Sequence, residues 1–202
     1  MAKRIVLAGV LAGLVMYAWS SLWHVVFGFG ATGIKQIPNE DVVLSAMRLT
    51  IQEPGFYFFP GFDESAKMTQ EQEQAWQQKY MSGPAGIMIY QPRGGLPLSP
   101  AQLLTECGKD IVIALVLAVL MAHALPGLTG FSARVLFVTL VGVVAGLETN
   151  VSYWNWYRFP GNYTGVAILE SVTSFALGGL VLAALLKRRP AGFDVSSAVK
   201  SG

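Results

Sequence analysis

The residues from Phe131 to Pro160 read FSARVLFVTLVGVVAGLETNVSYWNWYRFP, and this stretch decides the fold class. It opens with an apolar run, Val135–Leu147, that is long enough to cross most of a bilayer. It closes with Tyr and Trp residues, which collect at the boundary between water and hydrocarbon. Glu148 precedes Trp154 by about 9 Å of helix. A carboxylate at that depth is costly without a partner, so Glu148 is a candidate functional residue.

The composition supports a membrane protein. Of the 202 residues, 53% are hydrophobic and only 13% are charged, whereas about a quarter of a soluble domain is charged. The net charge of +2 gives no reason to expect a nucleic-acid partner. The single cysteine, Cys107, excludes an intrachain disulfide and a CxxC metal site.

Apolar length and helix-start signals predict four membrane spans. Basic residues mark the expected inner ends of the spans at Lys3, Arg134 and Lys187. This pattern predicts a bacterial-type inner-membrane protein with both termini on the cytoplasmic side. A cleavable signal peptide ending near Ala18 is the alternative for the first span. The predicted boundaries are 1–27, 99–125, 131–158 and 164–189 for the spans, with a cytoplasmic tail at 190–202.

The segment 28–98 is predicted to be a small cap on the outer side. Asn39 is expected to cap a helix, and Thr69 with Gln72 forms a capping box for another. Short strands are expected at Gly55–Phe59 and Ala85–Tyr90. The predicted fold is therefore an all-α membrane protein, a four-transmembrane-helix bundle with a small α+β extracytoplasmic cap between helices 1 and 2.

The second span begins with the clearest start signal in the chain. Ser99 takes the N-cap position, Pro100 the first helical position and Gln102 the third. Glu106 and Asp110 then share one helical face near the outer end. Lys109 lies in the same turn and is expected to extend outward to water.

A faint internal repeat links the two halves of the chain. Leu7–Leu14 reads LAGVLAGL, and Leu140–Leu147 reads LVGVVAGL. In the partner helices, leucines follow Asp110 after seven and ten residues, and leucines follow Glu170 after the same two intervals. A duplicated helix pair would produce this pattern, and so would chance matches between apolar helices built from few residue types.

Each predicted span contributes one polar side chain near the outer face. A bundle core lined by carboxylates and histidine is how some helical proteins build metal sites, although no Glu-x-x-His motif occurs here. We therefore expect a site for a divalent metal or another hard cation, or a proton relay. The alternative is that these groups only hold helices together, through contacts of about 1 kcal/mol each. The candidates are His24, Asp110, Glu148 and Glu170, with Glu106, Asn150 and Asn155 as supporting residues.

The sequence names no catalytic residue and leaves open whether the protein is an enzyme. It contains no nucleophile elbow, phosphate-binding loop, HExxH or EF-hand loop, and Ser20 is interpreted as a helix-packing hydroxyl. His123 is predicted at the inner end of the second span, roughly 20 Å from His24, which argues against a bis-histidine haem. Two hypotheses lead: a cation or proton site, and a non-catalytic accessory subunit that contacts lipid and other membrane subunits. A transporter is a third alternative, and an enzyme acting on a lipid or quinone at the outer leaflet is a fourth.

Overall fold

The computed structural model describes residues 2–62 and 67–187. Within them the chain is mostly helical, with one antiparallel pair of strands. The predicted tail 190–202 and the last residues of the fourth predicted span lie outside the described part. The elements are α1 (Ala2–Ser21), a π-helical turn (Leu22–Val26), a 3₁₀ turn (Phe29–Ala31), α2 (Glu40–Thr50), β1 (Gly55–Phe59), α3 (Gln70–Ser82), β2 (Gly86–Tyr90), α4 (Pro100–Ala124), α5 (Phe131–Tyr157) and α6 (Gly161–Leu185).

Three helical segments are long and apolar enough to cross a membrane: Ala2–Val26, Phe131–Tyr157 and Gly161–Leu185. This confirms that the chain has the character of a membrane protein. Helix α4, the predicted second span, is equally long but is not among the three. Its first half carries Glu106, Lys109 and Asp110, and its apolar part begins only after them.

Helices α1 and α6 form the centre of the four-helix packing, and α4 and α5 lie on either side of them. Helix α1 lies against α4 on one side and α6 on the other, and α5 packs along α6. The core consists of small and flexible side chains, including Ala12 and Met16 of α1, Met121 of α4 and Leu182 of α6. Small residues allow the close backbone approach that stabilises helix pairs in lipid.

The closest helix approaches occur at the glycines that the internal repeat aligns. A Cβ atom added at Gly13 would lie 2.5 Å from a backbone atom of α4, and one added at Gly142 would lie 2.5 Å from a side chain of α6. As the glycines advance by four residues, their partners recede by four in both helix pairs, as in any antiparallel helix packing. The contacts are Gly9–Leu115 and Gly13–Ile111 between α1 and α4, and Gly142–Phe175 and Gly146–Ser171 between α5 and α6.

The segment between α1 and α4 forms a hairpin and two short helices. Strands β1 and β2 pair in antiparallel register, with Gly55 opposite Tyr90, so both predicted strands are confirmed. The capping boxes at Thr69 and Ser99 are also present. The predicted cap at Asn39 is wrong in one respect: α2 begins at Glu40, but Asn39 has φ 52° and its side chain makes no capping bond. In that left-handed conformation Asn39 does not have the extended backbone typical of a capping residue.

Aromatic side chains connect this segment to the end of α5. The Trp76 indole donates to the carbonyl of Pro60 at 3.0 Å. Phe56 meets Tyr157 edge-on, with 6.1 Å between ring centroids. The guanidinium of Arg158 lies 5.5 Å from the centre of the Tyr80 ring. The hairpin therefore rests on the C-terminal end of α5.

Candidate functional site

A polar cleft opens between α1, α4 and α6, with a cavity volume of about 280 Å³. It gathers acidic, basic and hydroxyl groups beside an apolar wall. The polar lining consists of Ser20, His24, Glu106, Lys109, Asp110, Glu170, Ser171 and Ser174, and the apolar wall of Met16, Ile113, Ala167 and Phe175.

Glu170 is the centre of the first contact group in this cleft. Its Oε1 lies 3.1 Å from Nε2 of His24 and accepts a hydrogen bond from Oγ of Ser20, also at 3.1 Å. Ser20 and His24 are one turn apart, so they present neighbouring groups toward α6. The Glu170 side chain is 21% exposed and that of His24 is 53% exposed. The pair therefore reaches from a sheltered carboxylate to an accessible imidazole.

His24 lies within a π-helical turn. The amide of Phe27 donates to the carbonyl of Leu22 at 2.9 Å, the five-residue bond of a π turn. Such turns are frequent at functional sites. The His24 ring also rests against Gly30, where an added Cβ would collide with Nδ1. Only glycine at position 30 leaves room for the ring as it stands.

Asp110 forms the second contact group with Lys109. Its residue surface is only 5% exposed. Oδ1 lies 3.3 Å from the Lys109 ammonium, which also pairs with Glu106. The other oxygen, Oδ2, is buried and has no hydrogen-bond partner among the described residues. A buried carboxylate oxygen without a partner is costly, and a cation or a proton would satisfy it.

The three predicted residues of α5 do not join this cleft. Glu148 is exposed, and its nearest polar contact is the Thr149 hydroxyl at 3.5 Å. Asn150 donates to the carbonyl of Gly146 within its own helix, and Asn155 is exposed. Helix α5 meets α6 through the face that contains Gly146. Two residues later the helix has turned by about 200°, so Glu148 points away from α6.

The structure therefore brings together His24, Asp110 and Glu170, with Glu106 beside them, and leaves the contribution of α5 outside. It adds Ser20 and Lys109, for which the sequence predicts only a packing hydroxyl and an outward-reaching side chain. Two signals pointed to them: Ser20 lies one turn before His24, and Lys109 directly precedes Asp110.

The prediction of a metal centre gains no support from this geometry. Among residues 2–62 and 67–187, no three or more His, Cys, Asp or Glu side chains converge closely enough to hold a metal ion. Protein zinc sites take three or four such ligands. His123 lies elsewhere, with Nδ1 2.9 Å from the carbonyl of Val119 in its own helix.

The fold and the cleft define a helical membrane protein with an acidic site between three of its long helices. No protein-family profile, curated protein or solved structure matches the chain. The interpretation of function therefore rests on the residues themselves.

Proposed function

We propose that the chain is a four-span protein of a bacterial-type inner membrane, with its N-terminus and C-terminus inside and the hairpin segment outside. Helix α4 would be the second span. It packs against the candidate span α1 from Ile111 to Leu115, so its apolar half lies at the depth of that span. The basic residues Lys3, Arg4 and Arg134 lie at the ends assigned to the inner face.

Within this arrangement the cleft binds a cation in competition with protons. One observation carries the proposal: the shared contact of Glu170 with His24 and Ser20 lies in the same cleft as the unpartnered oxygen of Asp110. Intramembrane carboxylates that face a cavity are typical of ion and proton pathways.

The test is proton release on cation binding. Detergent-purified wild-type protein in weak buffer receives sodium, potassium, magnesium, ammonium or propylammonium chloride, and a pH indicator reports the protons displaced relative to a protein-free blank. Wild type is expected to release protons with at least one of these salts. Glu170→Gln and Asp110→Asn are each expected to lose most of the release, because each removes a carboxylate of the cleft.

Glu148→Gln is the matched control, since it neutralises an exposed acid outside the cleft. It is expected to behave as wild type. A folded wild-type protein that releases no protons with any of the salts would contradict the proposal. Equal release from Glu170→Gln and wild type would do the same.

A second candidate function is that of an accessory subunit in a larger membrane complex. Among the described residues outside the long helices, four large apolar side chains are at least three-quarters exposed: Leu49, Met81, Ile89 and Leu96. Such side chains are typical of contact surfaces when they cluster. Native mass measurement after gentle solubilisation tests this function: a stoichiometric complex with another protein supports it, and a lone chain contradicts it.

A further inference from the structure

The volume of the cleft constrains the kind of cation that fits it. A cavity of about 280 Å³ holds roughly nine water molecules at about 30 Å³ each. A single dehydrated inorganic ion would fill only a small part of that space. The volume suits a small molecule of several heavy atoms, just below the range of drug-sized pockets.

The lining is divided between carboxylates and apolar side chains. Glu106, Asp110 and Glu170 supply acidic groups, while Met16, Ile113 and Phe175 form the apolar wall. Lys109 is the one lysine among these lining residues, so acidic groups exceed the fixed positive charge by two. A ligand with a positive head and a short hydrocarbon body matches both parts of this surface.

Lys109 already shows what the carboxylates accept. Its ammonium lies between Glu106 and Asp110 at the end of an alkyl chain. The lysine side chain is itself an alkylammonium, and these two carboxylates already bind it. Asp110 Oδ2 still lacks a hydrogen-bond donor. A free alkylammonium would offer the same positive charge and N–H donors to Oδ2 of Asp110 and to the Glu170 carboxylate.

We infer that the ligand of the cleft is a small organic cation with N–H donors, a primary alkylammonium or a guanidinium. This inference rests on the proposed function and names its substrate class. Glu170 and Asp110, which occupy equivalent positions in the repeat, hold the charged head between the two helix pairs. The apolar wall contacts the hydrocarbon part.

Chemical rescue tests the inference. Lys109→Ala removes the tethered ammonium and leaves Glu106 and Asp110 without their cation. By titration calorimetry, propylammonium chloride is expected to bind wild type and to bind this variant at least tenfold more tightly, and no binding to wild type would overturn the inference. Propylammonium is also expected to restore the thermal stability that Lys109→Ala loses. Tetramethylammonium, which has no N–H donor, and sodium are the comparison cations and are expected to give neither effect.

Asp110→Asn in the Lys109→Ala background is expected to abolish the rescue, and Glu148→Gln in the same background to preserve it. Failure of propylammonium to bind or to rescue would overturn the inference, and so would equal rescue by sodium. Proton release by any of the tested salts, measured separately on wild type, decides the proposed function. A protein that passes that test and fails the rescue has a cation site of a different class.

Discussion

Replacing Gly13 with alanine tests whether the α1–α4 contact holds the cleft together. The new Cβ would lie 2.5 Å from Cα of Ile111 and 2.9 Å from the carbonyl oxygen of Asp110. Ordinary contact begins near 3.4 Å, so the two helices must separate by about 0.9 Å at this level. Both neighbouring atoms belong to the backbone, so no side-chain rotation relieves the overlap. The same displacement moves Asp110 relative to Glu170.

The expected loss combines two opposing effects. Overpacking costs about 1–3 kcal/mol, while alanine is favoured over glycine inside a helix by about 0.5–1 kcal/mol. We expect a net loss of about 1–2 kcal/mol in the free energy of unfolding, which is roughly a 5- to 30-fold change in the folded-to-unfolded ratio. Unfolding in mixed micelles with increasing SDS, followed by circular dichroism, measures the change.

Gly108→Ala is the control for the helix-propensity effect. Gly108 lies on α4, and an added Cβ there meets nothing within 4 Å. This variant is expected to be as stable as wild type or slightly more stable. A Gly13→Ala protein that unfolds at the same SDS fraction as Gly108→Ala would refute the reasoning about close packing.

Three further predictions concern individual contacts. Thr173→Val removes the acceptor of the 2.9 Å hydrogen bond from the Trp19 indole and is expected to cost about 0.5–1.5 kcal/mol in SDS unfolding, whereas an unchanged midpoint would contradict the contact. Ser99→Ala removes the cap of α4 and is expected to lower the free energy of unfolding by about 1 kcal/mol. Amide hydrogen exchange should become faster only in the first turn of α4, and a change spread uniformly over the protein would contradict a local effect. Gly30→Ala is expected to move the His24 ring, because the new Cβ collides with Nδ1, and unchanged histidine ring signals by NMR would show that this contact does not position the ring.

The sequence predicted the features that depend on neighbouring residues. Both capping boxes, at Thr69 and Ser99, require only two side chains three positions apart, and both form. The hairpin strands also follow from short aromatic and β-branched runs with turn residues beside them. The cap at Asn39 could not be predicted fully, because the chain enters α2 in a left-handed conformation that its composition does not reveal.

The sequence did not predict that Glu148 lies outside the cleft. Helix α5 is apolar on nearly every side, so its hydrophobic pattern gives no direction toward the bundle. The glycine pair Gly142 and Gly146 carried that information, since it marks the face that meets α6. Glu170 and His24 were placed by depth alone, because their 3.1 Å contact depends on how two helices distant in sequence pack together.

The π-helical turn between Leu22 and Val26 has an evolutionary consequence. A π turn contains one residue more than the α turn that it replaces, so a single-codon insertion is sufficient to create it. Everything before Ser21 keeps its register against α4 and α6, while the residues that follow are rotated to new directions. A helix that lacks one of these residues is expected to keep the packing of α1 before Ser21 and to turn the residues after it toward different neighbours. Deleting one residue of the turn therefore tests whether the imidazole contact can be lost while the fold is kept.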